Sequence, residues 1–370
     1  MRVEFPNGTE HYPCCVGSSS PSDGAAGRVP QNTTDGPLLV ACFGLQWQGS
    51  CHGVAAIIGR MHLLIPFAAP PTDAGAAALD GLVLPRLSAL LGRLIHSGAD
   101  DGEASSFSPP HERALARAWG WACGDGALPF AAQLLADSGT DPGERPWGLV
   151  TPSHWVLGAD DVKQADPAAL ALDEADSRAL FDAMLGLFES EGLLLRYGAP
   201  LRWFLSHDAL AGLRTASLDR VIGRNVDRWL PGGEAAALLR RLHSEVQMLL
   251  HAHPLNETRE ARGLLPVNSF WLSGCGVAQA RSAGDEPVVD ARLRGPALAG
   301  DWPAWRAAWQ ELDAGPLADL AARDAACEPV RLTLAGERSA RTLAAAPRSV
   351  WQRMAGAWRR PDPRSLLEAL

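Results

Sequence analysis

The residues able to do chemistry in this chain are few, and their spacing decides what each could do. Arg220, Arg224 and Arg228 recur every four residues. On a helix they share one face, and guanidinium forks suit phosphate or carboxylate. Asp219 and Asp227 interleave with them, so a solvated, ion-paired face is the competing use. Asn225 and Arg259 could join an anion site if the fold brings them near. Cys275 lies in Ser273-Gly274-Cys275-Gly276 after an apolar strand-like run. There a thiol could react, or backbone N–H groups could face an anion. The stretch is not a P-loop, since GxxxxGK[ST] is missing, and a tight turn is the commoner use of such glycines.

Serine and metal chemistry find less support. Ser206-His207-Asp208 are adjacent in sequence, whereas a triad needs adjacency in space; the trio reads as the cap of the next helix, through Ser206 or Asp208. Ser273 lacks the GxSxG elbow. His251 and His253, two apart, would point about 200° away from each other on a helix. His243 and His251 share a face but stand ~12 Å apart. No HExxH motif and no CxxC pair occurs, so no metal set and no cofactor is expected. Lys163 is the only lysine, so a lysine mechanism has one candidate.

These groups sit in an ordinary globular chain. It has 370 residues, 47% of them apolar, with 33 Lys+Arg against 42 Asp+Glu and a formal charge of −9. Wholesale disorder is excluded. An acidic chain is a poor binder of polyanions, so neither nucleic acid nor an anionic membrane is expected as partner. No run approaches the ~20 apolar residues of a membrane helix. Seven cysteines, an odd number, and no export signal point to reduced thiols in the cytoplasm.

The elements that must position the candidates follow from periodicity. Residues 1–60 carry Gly, Ser, Pro, Asn and Thr clusters without a period, and are expected to be a non-native or disordered extension ahead of a natural start at Met61. Residues 61–67 read as an apolar strand. Helices are expected over 72–80, 85–96, 109–119, 130–136, 173–188, 217–229, 234–252, 301–312 and 349–358, with 98–108 as a loop. Strands are expected over 147–157, 193–197, 201–205, 267–272, 288–293 and 330–334, the pair at 193–205 as a hairpin. Helices and strands alternate, so the fold class is α/β. Trp302, Trp305 and Trp309 fall at helical spacing, as core or, if exposed, as an anchor stripe for a protein partner.

The stretch from His253-Pro254-Leu255-Asn256-Glu257-Thr258-Arg259 through Pro266-Val267-Asn268-Ser269-Phe270-Trp271 to Gly274-Cys275-Gly276 resembles the HPxNxxRxxxGxxPAN-x-x-W-x-x-G-x-G segment of archaeal-type cofactor-independent phosphoglycerate mutases, of the alkaline phosphatase superfamily. Leu84-Pro85-Arg86-Leu87 is similar to that superfamily's helix entry. Residues 61–370 as a whole resemble a bacterial family of RpfE-type regulatory proteins, with Trp203 and Glu245-Val246-Gln247-Met248 part of the likeness. The resemblance implies a degenerate alkaline phosphatase-like fold, a mixed sheet flanked by helices, with 285–370 as a candidate C-terminal subdomain. It makes Arg259, Asn268 and Asn256 ligand-binding candidates beside Arg220, Arg224 and Arg228, for a small anionic ligand. The mutases place a metal-binding Asp-x-x-Gly directly after the first strand, where this chain has Pro66-Phe67-Ala68-Ala69. The expectation is therefore a pseudoenzyme or regulatory protein without the two-metal site. The alternatives are an active, manganese- or zinc-dependent mutase and a protein-interaction module.

Overall fold

The apolar run at Met61 forms β1 (Met61–Ile65), with four of its five residues buried, as befits a strand with neighbours on both edges. The computed structural model describes residues 61–70, 73–233, 235–282, 286–345 and 361–370. The extension expected over 1–60 and the helix expected over 349–358 lie outside them. β1 runs parallel to β10 (Val330–Ala335) on one side and to β9 (Pro287–Val289) on the other. β11 (Ser339–Ala344) lies antiparallel to β10 and to β2 (Ile95–Asp101), giving a mixed sheet of order β2-β11-β10-β1-β9. Residues 287–344 thus supply three of its five strands, so the stretch set apart in sequence as a C-terminal subdomain completes the sheet begun at Met61.

Helices cover both faces of this sheet. Leu63, Ile65, Leu332 and Leu334 meet α2 (Pro85–Arg93), α10 (Trp302–Ala314) and α11 (Pro316–Ala325) in one core. On the other face, Leu64, Ala335 and Ala340 pack with Leu115 and Trp119 around α3 (Pro110–Ala118). Trp305 and Trp309 are fully buried on α10, and Trp302 packs partly buried against the same core. Two short helices, α1 (Asp73–Ala76) and α12 (Pro363–Glu368), complete this half.

Residues 146–277 build a second, antiparallel sheet of order β6-β7-β3-β8 from β3 (Pro146–Ser153), β6 (Leu194–Ala199), β7 (Arg202–Ser206) and β8 (Ser269–Val277). α4 (Phe130–Asp137) lies on one face. α5 (Glu174–Ser190) and α7 (Ala235–His251) lie on the other, around Trp203, Phe188 and Phe270. A small hairpin, β4 (Trp155–Leu157) with β5 (Val162–Gln164), follows β3. No helix among the described residues is long and apolar enough to cross a membrane.

Three sequence expectations fail for local reasons. The helix expected over 217–229 is α6 (Leu218–Val221) followed by a separate turn, Val226–Arg228. Ile222 leaves the helical region, Gly223 takes φ +75°, and Asn225 caps the second turn through Asp227 N–H. Ser273-Gly274-Cys275-Gly276 is not a turn but part of β8. Its glycines admit the start of α4: a Cβ on Gly274 would lie 3.1 Å from the Ala131 nitrogen, and one on Gly276 would lie 3.0 Å from the Pro129 ring. The helix expected over 234–252 does end before Pro254, at His251, and Pro254 then opens a further helix, α8 (Pro254–Ala261), with His253 Nδ1 accepting from Leu255 N–H, because proline suits a first turn whose N–H has no partner. Likewise His207, rather than Ser206 or Asp208, caps the turn Asp208–Leu210.

Candidate functional site

β1 and β10 are parallel, so their carboxyl ends lie at one edge of the sheet, where open α/β sheets commonly hold ligands. The chain there is unusual. Phe67, two residues past β1, takes φ +56°, a left-handed conformation costly for a bulky side chain. Its ring packs 5.5 Å from the ring of His111 on α3, and its carbonyl accepts from the Trp305 indole at 3.0 Å.

Around this edge stands a nest of buried charges. His111 Nε2 lies 3.3 Å from Asp219 Oδ2, and Arg294, which opens α9 (Arg294–Ala299), grips Asp219 Oδ1 through Nε at 2.8 Å and Nη2 at 2.7 Å. Burial opposes the Asp219 charge, but Arg294 and His111 outweigh it and hold the carboxyl well below the usual range. Asp166 Oδ2 stands 3.8 Å from Arg294 Nη1. Beside this pair, Ser217 Oγ is 2.5 Å from Glu112 Oε1 and also accepts the Asp219 N–H. Burial pushes Glu112 up to about 8, with the Asp219 charge adding to the rise against Ser217, Arg220 and Arg113. Glu112 therefore carries its proton at neutral pH.

The outer part of the nest is cationic. Arg220 Nη1 at 2.9 Å and Arg224 Nη2 at 2.7 Å both reach Glu337 Oε1, on the turn between β10 and β11. Arg220 is 1% exposed, and among the described residues its Nε and Nη2 have no hydrogen-bond partner. A guanidinium edge of two N–H donors suits a two-oxygen anion. This site sorts the arginines chosen from sequence. Arg220 and Arg224 converge. Arg228 is exposed on the next turn, because the helix that would have aligned it is broken at Gly223.

The other candidates are committed to the protein itself. Arg259 is fully buried and donates to Asp176 Oδ2 at 3.0 Å, to Leu265 O at 3.1 Å and to Leu170 O. Asn256 bridges the carbonyls of Leu250 and Val267 and accepts the Val267 N–H. Asn268 accepts from Trp155 N–H at 2.7 Å and donates to Trp155 O at 2.9 Å. Cys275 is 1% exposed and burial pushes its thiol up to about 12. The reactive-thiol expectation is thereby corrected, since a nucleophile needs an accessible thiolate.

The acidic and imidazole groups described at this edge are already engaged with one another and with arginines. Among the described residues no three His, Cys, Asp or Glu side chains gather as a metal site. At the sheet edge Asp219 is taken by Arg294 and His111, Glu337 by two arginines, and Glu112 is uncharged. Glu112, Ser217, His111, Arg294 and Glu337 escaped sequence reasoning because the site joins positions far apart in the chain, from 75 residues for Asp219 and Arg294 to 117 for Arg220 and Glu337.

The neutral acid has a measurable consequence. A folded-state value near 8 against an ordinary carboxyl near 4.3 makes the Glu112 contribution greatest below the ordinary value and lost as pH rises through 8. Glu112→Gln is expected to gain stability on the wild type between pH 5 and pH 8.5. Urea unfolding at both pH values checks this; a difference between the two proteins that stays constant with pH would contradict it.

No family model matches the chain. A stretch of 114 residues, 30% of the chain, is 28% identical to a protein of Geobacter sulfurreducens named probable 2,3-bisphosphoglycerate-independent phosphoglycerate mutase, and it spans 29% of that protein's length. Among solved structures, the cofactor-independent phosphoglycerate mutase of Thermoplasma acidophilum aligns over 84% of this chain and 99% of its own, at 14% identity and a TM-score of 0.32. The PH0037 protein of Pyrococcus horikoshii aligns over 84% and 98%, at 13% identity and a TM-score of 0.34. The chain is distantly similar to cofactor-independent phosphoglycerate mutases.

Proposed function

We propose that this protein is a phosphoglycerate mutase-like chain that binds a small oxyanion at the Arg220–Arg224 site without transferring a phosphoryl group between two metal ions. On this reading it is a regulatory, ligand-sensing protein of the cytoplasm. The observation that carries the reading is the pairing of Arg220 and Arg224 on one carboxylate oxygen, with the second edge of buried Arg220 unpartnered among the described residues. Phosphoryl migration in a two-metal enzyme needs carboxylates and imidazoles converging on both ions, which clamp the attacking and leaving oxygens. The described donors do not converge in that way. The resemblance of residues 61–370 to RpfE-type proteins supports the regulatory role. The interaction-module alternative rests on a tryptophan stripe of which Trp305 and Trp309 are buried.

A metal analysis of the purified protein, coupled to an assay with 3-phosphoglycerate, tests the reading. The expected result is no stoichiometric manganese or zinc and no turnover, with saturable binding of 3-phosphoglycerate that Arg224→Gln abolishes. Turnover with stoichiometric metal would establish the active-mutase alternative instead.

A further inference from the structure

We propose that Glu337 is an internal stand-in for the anionic ligand: its carboxylate occupies Arg220 and Arg224 in the free protein and is displaced when a small oxyanion binds. The inference rests on the anion-binding reading above and adds how the site is regulated.

Three observations support it. The first is how little of the arginines Glu337 uses. A single oxygen, Oε1, serves both guanidinium groups, and the Nε–Nη2 edge of Arg220 is left without a partner among the described residues. Arg294 shows the contrast within the same nest, since Asp219 takes its Nε–Nη2 edge in full. The second is accessibility. The Arg220 side chain is 2% exposed, while Glu337 and Arg224 are 19% and 34% exposed, so exchange can begin from the solvent side. The backbone beneath is pinned: Gly336 N–H donates to Ser339 O, and Arg338 O accepts from Gly102 N–H and from Arg113. The Glu337 side chain can therefore swing out while its turn stays in place. The third is charge. With Asp219 committed to Arg294 and Glu112 uncharged, departure of Glu337 leaves Arg220 and Arg224 facing no carboxylate of the nest. Only another anion restores the balance, because a buried charge is costly unless paired. The ligand class is a small oxyanion with at least two oxygens, whether phosphate or carboxylate.

A site occupied by its own stand-in binds more weakly by the fraction of time it is free. Occupancy of about nine-tenths implies weakening by about tenfold. Calorimetric titration with inorganic phosphate, and in parallel with acetate, is performed on the full-length wild type, Glu337→Gln and the double variant Glu337→Gln/Arg224→Gln. Glu337→Gln is expected to bind one of the two anions about tenfold more tightly than wild type, the better anion identifying the source. The double variant is expected to lose that gain. Should Glu337→Gln fail to fold, Glu337→Asp, which withdraws the carboxylate by one methylene, is expected to tighten binding to a smaller degree. Unchanged or weaker binding in a folded variant, with wild-type binding retained, overturns the stand-in and leaves the anion site intact. No binding by wild type or any folded variant overturns both.

Discussion

Arg259→Met is expected to destabilise the protein by about 3 kcal/mol while leaving its affinity for anions unchanged. The side chain is fully buried and holds three groups together: the Asp176 carboxylate in the first turn of α5, the Leu170 carbonyl before it, and the Leu265 carbonyl after α8. Methionine fills much of the volume but leaves a carboxylate and two carbonyls without their donor. Breaking a buried pair from one side costs more than the pair contributes, because the remaining partner is left desolvated. Asp176 retains 15% side-chain exposure, so part of its charge can be rehydrated, which places the expected cost at the lower end. Denaturant unfolding measures it. Arg228→Ala, on an exposed turn, is the control and should change stability by no more than about 0.5 kcal/mol. If Arg259→Met abolished oxyanion binding in a protein of native stability, Arg259 would be a ligand contact and not a clamp.

Acid is expected to weaken the fold through two buried imidazoles. His62 Nε2 lies 2.8 Å from the Thr333 hydroxyl, which continues to Thr342 at 2.9 Å. Burial, helped by the Arg331 charge, lowers His62 to about 4. His243 stacks on Phe270 at 4.3 Å and its Nε2 lies 3.1 Å from Phe270 O; burial lowers it also to about 4. Above the ordinary histidine value near 6.5 both states are neutral and the full contribution is present. As pH falls from there to 4 the unfolded chain takes up protons that the folded chain refuses, so stability falls, by at most about 3 kcal/mol for each histidine. Glu112 acts in the opposite sense over part of this interval, so the test is a difference. His243→Gln is expected to lose less stability than wild type between pH 7 and pH 4.5, by urea unfolding. Equal losses would show that His243 titrates normally in the fold.

The strongest periodicities in the sequence became elements almost at their expected bounds: β1, the β6–β7 hairpin, α5 and α7. Their buried faces repeat every two or 3.6 residues, and nothing nearby competes. Ile95–Asp101 escaped because an edge strand with six of seven residues outside the buried class shows no apolar alternation. α8 escaped because Pro254 reads equally as a stop or a start, and only the His253 cap decides. The arginine face failed at a single residue: the left-handed Gly223 ends α6, yet the chain path beyond still brings Arg224 back to Glu337 beside Arg220. Two of the three arginines therefore meet, by a route the four-residue spacing did not contain. The segment likeness around Arg259, Asn256 and Asn268 marked residues that hold backbone together around α8 and β8. Their hydrogen bonds reach loops and neighbouring strands that a one-dimensional pattern cannot place. The charge nest itself joins α3, α6, α9 and the β10–β11 turn, and no local signal links these four segments.

Phosphorus NMR of 3-phosphoglycerate mixed with stoichiometric protein and zinc, a diamagnetic ion, tests for two-metal transfer most directly. The account predicts that the 3-phosphoglycerate resonance shifts or broadens with wild type, remains sharp with Arg224→Gln, and is never joined by a second phosphomonoester signal. Growth of a 2-phosphoglycerate resonance would contradict it.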